Sequence, residues 1–359
     1  MSSANVILPA SDLTRSSSNQ STLPRDCTFT PTDWHALASH WYPVAFSHEV
    51  KSQPYAARLL DVRIVLYRLS DGAVAAAKDI CYHRGAPLSL GTVEGDEIIC
   101  KYHGLRYNAS GQCTCIPAHP NGAISPKLHL AMLRAKEIFG LIWVQLIEND
   151  TATLPEMKEW NNPEYIQVLP NSISMNASSG RQVEGFLDVS HFAFVHLETF
   201  GEVENPEVPD YTITKAANGF VADYISTVSN YSREFKHLSP PGFLWHRRFE
   251  AFLPFTAKLT VFFPEGGQLH ILNAASPVSA RKTRLFVPIC RNFNLDAPLQ
   301  ATLDFNHQVF AEDQAIVEQQ YPEDLPLDLH AEAHFPADRS SIAYRKGLVA
   351  LGLGRSFTA

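Results

Sequence analysis

The sequence predicts an α+β protein in which a small β domain precedes a larger domain that combines an antiparallel β-sheet with helices. Short β-rich runs separated by turn residues fill the first 150 residues. Two hairpin patterns and one further strand follow in the second half, and a long segment near its end has a helical pattern. The 359 residues are 45% hydrophobic and 18% charged, which suits one large domain or two ordinary ones.

The N-terminal elements follow from local patterns. Residues 1–29 are rich in Ser, Thr and Asn, so we expect a disordered leader or a loosely docked arm, and they lack the basic and apolar regions of a signal peptide. Thr30 followed by Pro31 and Asp33 has the pattern of a helix start, which predicts a helix through Trp34–His40. Strands are predicted between Tyr55 and Lys78, on either side of a turn at residues 70–72, and the strand-like run GLIWVQL ends this series.

The polar, proline-containing segment Thr153–Pro163 is the predicted domain boundary, which gives domains at 30–150 and 151–359. In the second domain, QVEGFLDVSHFAFVH breaks strand alternation and suits a buried helix. Hairpins are predicted around Asn218-Gly219 and Gly266-Gly267, and TRLFVPICR is predicted as one strand.

A long helix is predicted from Pro298 to Gln320, with Asp296 as a possible cap. Its inner side is predicted to carry four apolar residues. They are Phe305, Val309, Ile316 and Val317.

Composition restricts the partners. A formal charge of −8 and a pI near 6.0 argue against a nucleic-acid partner and fit a small-molecule substrate better. No run approaches the roughly 20 apolar residues that a membrane helix needs, so no membrane partner is expected and the cytoplasm is the default location. Six cysteines are too few for a disulfide framework.

The first candidate site is a pair of short Cys-to-His units. Cys81-Tyr82-His83 is followed, after sixteen residues, by Cys100-Lys101-Tyr102-His103. A Rieske 2Fe–2S centre needs two thiolates on one iron and two imidazoles on the other. Two facing loops can supply these ligands if each loop provides one cysteine and one histidine. A zinc site with two Cys and two His ligands is the alternative. For the nearby Cys113 and Cys115, buried packing is the favoured interpretation.

The second candidate site lies in Asp188–His196. Non-haem ferrous oxygenases hold iron with two histidines and one carboxylate. His191 and His196 are five residues apart, so on an ideal helix their side chains point about 140° apart around the axis. Both can face one metal only if the helix ends or widens there. The carboxylate would come from a distant acid, and Phe310–Glu318 offers Glu312 and Asp313.

These motifs resemble those of the Rieske non-haem iron oxygenases. Cys81-x-His83-Arg84-Gly85-Ala86 and Cys100-x-Tyr102-His103-Gly104 look like the cluster motif of the ring-hydroxylating and demethylating members. The resemblance implies a Rieske β-sandwich domain and a catalytic domain whose antiparallel sheet is flanked by helices.

The methylxanthine N-demethylase branch is similar over several segments. They are Ser89–Val93, His191–His196, Ala311–Pro322 and Ser341–Lys346.

The resemblance also implies the role of each site residue. Cys81, His83, Cys100 and His103 would hold the cluster. His191, His196 and Asp313 would hold Fe(II), with Glu312 as the alternative ligand and Glu318 in a structural role. Asp188 would bridge His191 to His103 of a neighbouring subunit, which implies a head-to-tail homotrimer. Three departures from the family pattern concern fine tuning and remove no ligand: Lys101, Leu105 and Gly185.

The function implied by the resemblance is a monooxygenase. Electrons from NAD(P)H would arrive through a separate reductase, with or without a ferredoxin, because no dinucleotide fingerprint is present in this chain. O2 would then oxidise a small aromatic or heteroaromatic substrate, by demethylation or by hydroxylation. The alternatives are an aromatic ring-hydroxylating dioxygenase, a Rieske electron-transfer protein and a zinc-stabilised binding protein.

Overall fold

The structure is a computed structural model that describes residues 23–231 and 233–354, with the side chains of 233–235 left out. Its strands form three sheets in this part of the chain, and every strand pair is antiparallel. Each described helix is too short or too polar to span a bilayer.

The strands up to residue 145 form two of the sheets. Their bounds are β1 Tyr42–Phe46, β2 Tyr55–Leu59, β3 Val62–Arg68, β4 Val74–Lys78, β5 Thr92–Glu94, β6 Glu97–Ile99, β7 Arg106–Tyr107, β8 Cys113–Cys115, β9 Met132–Ile138 and β10 Leu141–Gln145. One sheet has six strands in the order β1-β10-β9-β4-β3-β2, and the other has four in the order β5-β6-β7-β8.

The remaining strands form one nine-stranded sheet. Their bounds are β11 Ile166–Val168, β12 Ile173–Met175, β13 Thr212–Ala216, β14 Gly219–Ser226, β15 Trp245–Phe252, β16 Thr256–Phe262, β17 Gln268–Ser279, β18 Lys282–Phe286 and β19 Ile289–Arg291. The main order is β11-β19-β17-β16-β15-β14-β13, while β18 pairs with both β12 and β17. Sheet membership therefore changes across residues 146–165, and the domain division at 150/151 fits this change but stays a prediction.

Five α-helices accompany these sheets in the described residues. Their bounds are α1 Pro31–Ala38, α2 Ser179–Leu187, α3 Phe192–Val195, α4 Leu299–Val317 and α5 Arg339–Ala350. The Thr30 hydroxyl accepts the Asp33 N–H at 3.2 Å, so the predicted cap of α1 is confirmed. Helices α2 and α5 pack on one face of the nine-stranded sheet, which we call the inner face.

The other face of the nine-stranded sheet, which we call the outer face, packs against the six-stranded sheet of the N-terminal residues. Leu272 and Phe286 share a buried cluster with Trp143 of β10 and Phe46 of β1. Arg284 joins the same parts by polar contacts: its guanidinium bonds to Glu49 Oε1 at 3.0 Å and to the carbonyl of Val44 at 3.1 Å. These contacts hold the six-stranded sheet against the outer face of the nine-stranded sheet.

Two sequence predictions need correction. TRLFVPICR forms two strands, β18 and β19, because Pro288 between them lacks the N–H that a continuous ladder requires. The long helix is α4, which is shorter than predicted at both ends, and Asp296 does not cap it, since Pro298 holds the cap position.

The buried side of α4 agrees with the prediction at Val317 and departs from it at Ile316. Ile316 is 52% exposed, and the buried positions are Asn306, Phe310 and Val317. The spacing of four and seven residues between them places all three on one side of the helix.

The predicted hairpins and the early strands are confirmed by β13–β14, β16–β17 and β2–β4. The predicted leader lies mostly outside the described residues. Its last two residues are in place: the Thr28 N–H donates to Asp61 Oδ2 at 2.8 Å, and Phe29 belongs to the main core.

We predict that Arg284→Ala lowers the free energy of unfolding by about 1–3 kcal/mol, because Glu49 and the Val44 carbonyl lose their donor in a half-buried contact. Urea denaturation measures the change. Arg63→Ala, at an exposed position of β3, is the control and should stay within about 0.5 kcal/mol. Equal losses in both variants would contradict the role given to Arg284.

Candidate metal centres

The two Cys-to-His units form loops of the same conformation at one end of the four-stranded sheet. In each loop the cysteine N–H bonds to the carbonyl five residues later, at 2.8 Å for Cys81 and 2.9 Å for Cys100. In each, the cysteine carbonyl accepts the N–H of the glycine four residues later. Gly85 and Gly104 have φ of 75° and 70°, a left-handed conformation that favours glycine.

The loops place thiols inside and imidazoles outside. Cys81 and Cys100 are buried, whereas the Nδ1 atoms of His83 and His103 lie 3.1 Å apart near the surface. Four ligands of one zinc ion would lie within about 4 Å of one another. The cysteines and histidines of the two loops do not meet this limit. Among the described residues, the one group with three such donor atoms within 4.8 Å of one another lies in the second half of the chain. The four residues therefore suit two irons, with thiolates on one and imidazoles on the other.

The surroundings of the thiols are apolar. Burial raises the pKa of Cys100, and the neighbouring Cys81 thiol adds to the rise. Thiolates in this position therefore depend on a positive countercharge, which iron supplies. The Tyr107 hydroxyl lies 3.2 Å from Cys81 Sγ. Cys113 is half-buried in the same cluster, so it is a packing residue, though less buried than expected.

The second site depends on a break between two helices. Helix α2 ends at Leu187, and Asp188 has an extended conformation with φ −77° and ψ 130°. The Asp188 carboxylate then accepts the Ser190 N–H at 2.8 Å, a turn that starts the next helical segment. His191 and His196 lie on either side of the single-turn α3. The predicted helix end is confirmed, and it turns both imidazoles to one point.

The two imidazoles meet the carboxylate of Asp313. His191 Nε2 and His196 Nε2 are 3.1 Å apart, and they lie 3.4 and 3.3 Å from Asp313 Oδ1. Metal bonds of about 2.1 Å at right angles put their donor atoms about 3 Å apart. The triangle therefore has the size that three neighbouring ligands of one octahedral metal would have.

His196 is fixed through its second ring nitrogen. Nδ1 lies 2.9 Å from Glu312 Oε2, and the same carboxylate accepts the Thr199 hydroxyl at 2.8 Å. Glu312 thus contacts the far side of the His196 ring, where it would orient that ring as a ligand. Phe200 stacks on the His196 ring with centroids 4.6 Å apart. Glu318 accepts the Asn176 N–H at 2.8 Å, which is a structural contact.

His191 lies between two carboxylates. Its Nδ1 is 3.5 Å from Asp188 Oδ2 and its Nε2 faces Asp313. Burial lowers the pKa of His191, but the bonds to Asp188 and Asp313 outweigh burial and raise it to about 9. Burial likewise raises the pKa of Asp188, and His191 and Ser190 bring it below its usual value. The site therefore favours positive charge, as a cation-binding site requires.

Comparisons with known proteins match both parts of the chain. The Rieske [2Fe-2S] domain family matches residues 40–134, and the vanillate O-demethylase oxygenase C-terminal domain family matches residues 175–353. Methylxanthine N1-demethylase NdmA of Pseudomonas putida is 33% identical over 87% of this chain and 88% of its own. Methylxanthine N3-demethylase NdmB of the same species is 28% identical over 86% and 88%.

The chain belongs to the Rieske non-haem iron oxygenases. A structure of Pseudomonas putida CBB5 NdmA with caffeine superimposes with a TM-score of 0.80 at 30% identity, over 89% of this chain and 92% of that one. The predicted fold is confirmed by this similarity, and so are the class of enzyme, an oxidoreductase, and its cofactors. This Rieske oxygenase uses a 2Fe–2S cluster, a mononuclear iron and a reductase fed by NAD(P)H.

Two residues that contact the His196 side of the site were not found from the sequence. Thr199 and Phe200 support His196, and their closeness to it in sequence was the available signal. Of the departures, Leu105 is buried and its carbonyl accepts the Cys100 N–H, while Lys101 is exposed. A β-carbon at Gly185 would lie 3.5 Å from Val317, an ordinary contact, so the small residue is not required by space.

We predict that Asp313→Ala abolishes binding of the mononuclear iron and leaves the cluster intact, because the triangle loses one corner and the two cysteine loops are unchanged. Iron analysis together with the visible spectrum of the cluster measures both. Loss of the cluster along with the iron would contradict two separate sites.

We predict that Glu312→Gln weakens mononuclear iron binding about 10- to 100-fold without abolishing it, because His196 loses the carboxylate that orients it. The affinity is measured by titrating ferrous iron into protein from which a chelator has removed the mononuclear iron. Asp304→Asn, at an exposed position of the same helix, is the control and should bind iron as the wild type does. Complete loss of iron in Glu312→Gln, with retention in Asp313→Ala, would reverse the two roles.

Proposed function

We propose that this protein is the oxygenase component of a monooxygenase that removes a methyl group from a small aromatic or heteroaromatic compound. The observation that carries the proposal is the triangle of His191, His196 and Asp313 above an apolar, half-buried part of the sheet. Ring hydroxylation is the second candidate, since the same geometry would support it, but both full-length relatives named above are demethylases.

The position of the substrate chamber follows from the helices. Helix α3 lies over β15, where the Phe192 ring is 5.7 Å from the Arg247 guanidinium, and α4 packs on β11. The iron-site residues join α3 to α4, so they span β16, β17 and β19. On these central strands, the inner-face residues Leu259, Leu269 and Ile271 are only half-buried, although helices cover this face. We therefore place the substrate chamber between the iron site and this part of the sheet.

These residues have distinct tasks in the reaction. The floor formed by Leu259, Leu269 and Ile271 offers an apolar surface for a flat ring and limits water. His191, His196 and Asp313 would hold the iron, and bound iron would supply O2 activation. His196 is held by Glu312, so its donor atom does not turn away. Asp188 holds His191 at the surface side of the site, where an electron must enter.

The stoichiometry requires two electrons for each methyl group. Substrate-CH3, O2, NAD(P)H and one proton give substrate-H, formaldehyde, water and NAD(P)+. One oxygen atom leaves in formaldehyde and the other in water. The electrons reach the cluster from a separate reductase, and a ferredoxin is a further possible carrier. We place this redox chain in the cytoplasm, where NAD(P)H is available.

The surface around Asp188 supports a head-to-tail homotrimer. A hollow of about 610 Å³ exposes Asp188 and His191 within an apolar rim that includes Phe194 and Phe335, which are 57% and 56% exposed. The cluster loops carry exposed aromatic rings of their own, Tyr82 and Tyr102. In the proposed trimer, these rings cover the hollow of a neighbouring copy and bring a cluster imidazole to Asp188.

The function is tested by incubating the iron-loaded protein with O2, NADH, a Rieske-oxygenase reductase and a panel of methylxanthines and methoxyarenes. Formaldehyde equal to the NADH consumed is expected with at least one member. A cis-diol would establish ring dioxygenation, and rapid reduction of the cluster without any product would support the electron-transfer alternative.

We predict that Asp188→Asn binds both metals but slows turnover at least about 100-fold, because the amide cannot accept hydrogen bonds from two imidazoles in the same way. Stopped-flow oxidation of the reduced cluster by O2 in the presence of substrate measures the electron transfer. Asp304→Asn is again the control. Unchanged cluster oxidation in Asp188→Asn would contradict the bridge.

Mixed trimers test whether the bridge joins two subunits. Asp188→Asn keeps its cluster, whereas His103→Ala keeps its iron site, so each is inactive alone. If transfer is between subunits, co-expression should restore activity at the boundaries where an intact cluster meets an intact Asp188. No recovery in purified mixed trimers would show that transfer runs within one chain.

A further inference from the structure

A second cavity lies on the outer face of the nine-stranded sheet, behind the strands that carry the chamber floor. Its volume is about 600 Å³, which is the size of a small-molecule site and not of a single ion. Residues between 153 and 159 form one wall, and side chains of β14–β17 form the floor. These point outward, since the alternate position Arg247 of β15 contacts Phe192 on the inner face. Of the described residues that line the cavity, none belongs to either metal site.

The floor is polar, and its charges are paired across the strands. Strand pairing sets Glu250 opposite Lys258, and the two side chains form an ion pair at 2.7 Å. In the next row, Arg248 lies opposite Thr260, and its guanidinium is 3.4 Å from Asp223 Oδ1. These two pairs bring no net charge to the floor.

The wall adds an acid whose charge is not balanced. Glu159 Oε2 is buried and has no hydrogen-bond partner among the described residues. The one base within ion-pair distance in this part of the structure is His270, whose Nδ1 lies 3.9 Å from Oε2, too far for a hydrogen bond. Burial lowers the pKa of His270 below its usual value, although the charge of Glu159 opposes this effect, so the ring is neutral at neutral pH.

The hydrogen bonds of His270 keep its single proton away from Glu159. Nε2 lies 3.2 Å from Gln268 Oε1, and Nδ1 lies 3.0 Å from Thr260 Oγ1. The amide oxygen of Gln268 can only accept, and it also accepts the Tyr165 hydroxyl at 3.1 Å. The neutral imidazole therefore donates from Nε2 and has no proton on Nδ1, the atom that faces Glu159. One carboxylate oxygen of the cavity thus lacks both a donor and a paired cation.

The less buried part of the lining is apolar. Leu154 comes from the wall, and Val221, Phe252 and Phe262 come from the floor, and all four are half-buried. An ammonium group would supply the missing charge and the missing donor. Aromatic rings also attract cations, and they pack against apolar groups. A small amine with an apolar group therefore matches both parts of the lining.

We propose that this cavity binds a small organic ammonium ion, whose nitrogen pairs with Glu159 and whose apolar group lies against Leu154 and Phe262. The site is separate from the substrate chamber, and it neither rests on the proposed function nor takes part in the reaction. Lys258 and His270 stand on the strands that carry Leu259 and Ile271, so the bound ion would contact the back of the chamber floor.

The wild-type test compares two matched ligands by calorimetry with the iron-loaded protein under anaerobic conditions. Benzylamine is a cation at neutral pH, whereas benzyl alcohol has nearly the same shape without the charge. Benzylamine should bind about tenfold or more tightly than benzyl alcohol, because a charge-assisted hydrogen bond forms only with the amine. Equal affinity, or no binding of benzylamine at millimolar concentration, would overturn the inference.

A substitution of the acid locates the binding site. Glu159→Gln should lower benzylamine affinity by about tenfold or more and leave the affinity for benzyl alcohol within about twofold. Glu164→Gln is the matched control, since Glu164 is an exposed acid of the same segment that does not line the cavity, and it should bind benzylamine as the wild type does. Unchanged benzylamine affinity in Glu159→Gln would overturn the assignment.

A second variant keeps the test decisive if Glu159→Gln does not fold. Leu154→Ala should weaken benzylamine and benzyl alcohol by the same factor, about threefold to tenfold, because it removes apolar contact and leaves the charge in place. Unchanged affinity for both ligands would mean that they bind outside the cavity. These are binding measurements, so neither result bears on the proposed demethylation.

Discussion

The site depends first on the two ring nitrogens of His196, which are both occupied by acids from one helix. Nε2 faces Asp313 and Nδ1 faces Glu312, so adjacent residues of α4 bind opposite sides of one imidazole. This junction ties the break after α2 to a helix more than a hundred residues later. It fixes the direction of the ring, which is the usual task of an acid behind a metal-bound histidine.

The segment before the break is held by a buried ion network. Arg345 of α5 binds both oxygens of Glu184 in α2, at 2.6 and 2.9 Å, and also binds Glu332 at 2.6 Å. Arg181 joins the same Glu332 at 2.9 Å. Buried ion pairs add little net stability because desolvation offsets their attraction. We infer that this network instead fixes the direction of α2, whose end places Asp188 and His191.

Much of the fold and site could be predicted because the determining signals are local. The cap at Thr30, the glycine turns and the Cys-to-His spacing are properties of a few consecutive residues. The spacing of His191 and His196 predicted a helix end, because two histidines five residues apart cannot face one metal from an unbroken helix. In the structure, α2 ends at Leu187. The fold of this protein and its family membership follow from such signals.

Other features depend on tertiary contacts that no local pattern reports. Ile316 fits a helical stripe, but the side of α4 that is buried is set by Asp313 turning toward the imidazoles, which leaves Ile316 in solvent. Glu312 and Asp313 are adjacent and chemically similar, so the geometry alone separates their roles. For Arg247 a signal did exist: it occupies an inward position in the alternation of Trp245, Phe249 and Ala251, where an apolar residue is expected.

The central claim is that His191, His196 and Asp313 hold one iron with open coordination positions. The most direct measurement is the EPR spectrum of the anaerobic, iron-loaded protein after addition of nitric oxide, which needs neither the reductase nor the substrate. The account predicts a ferrous nitrosyl signal that integrates to one iron for each chain, in addition to the cluster iron. Iron-loaded protein that gives no nitrosyl signal would contradict it, because the three residues would then not form an open ferrous site.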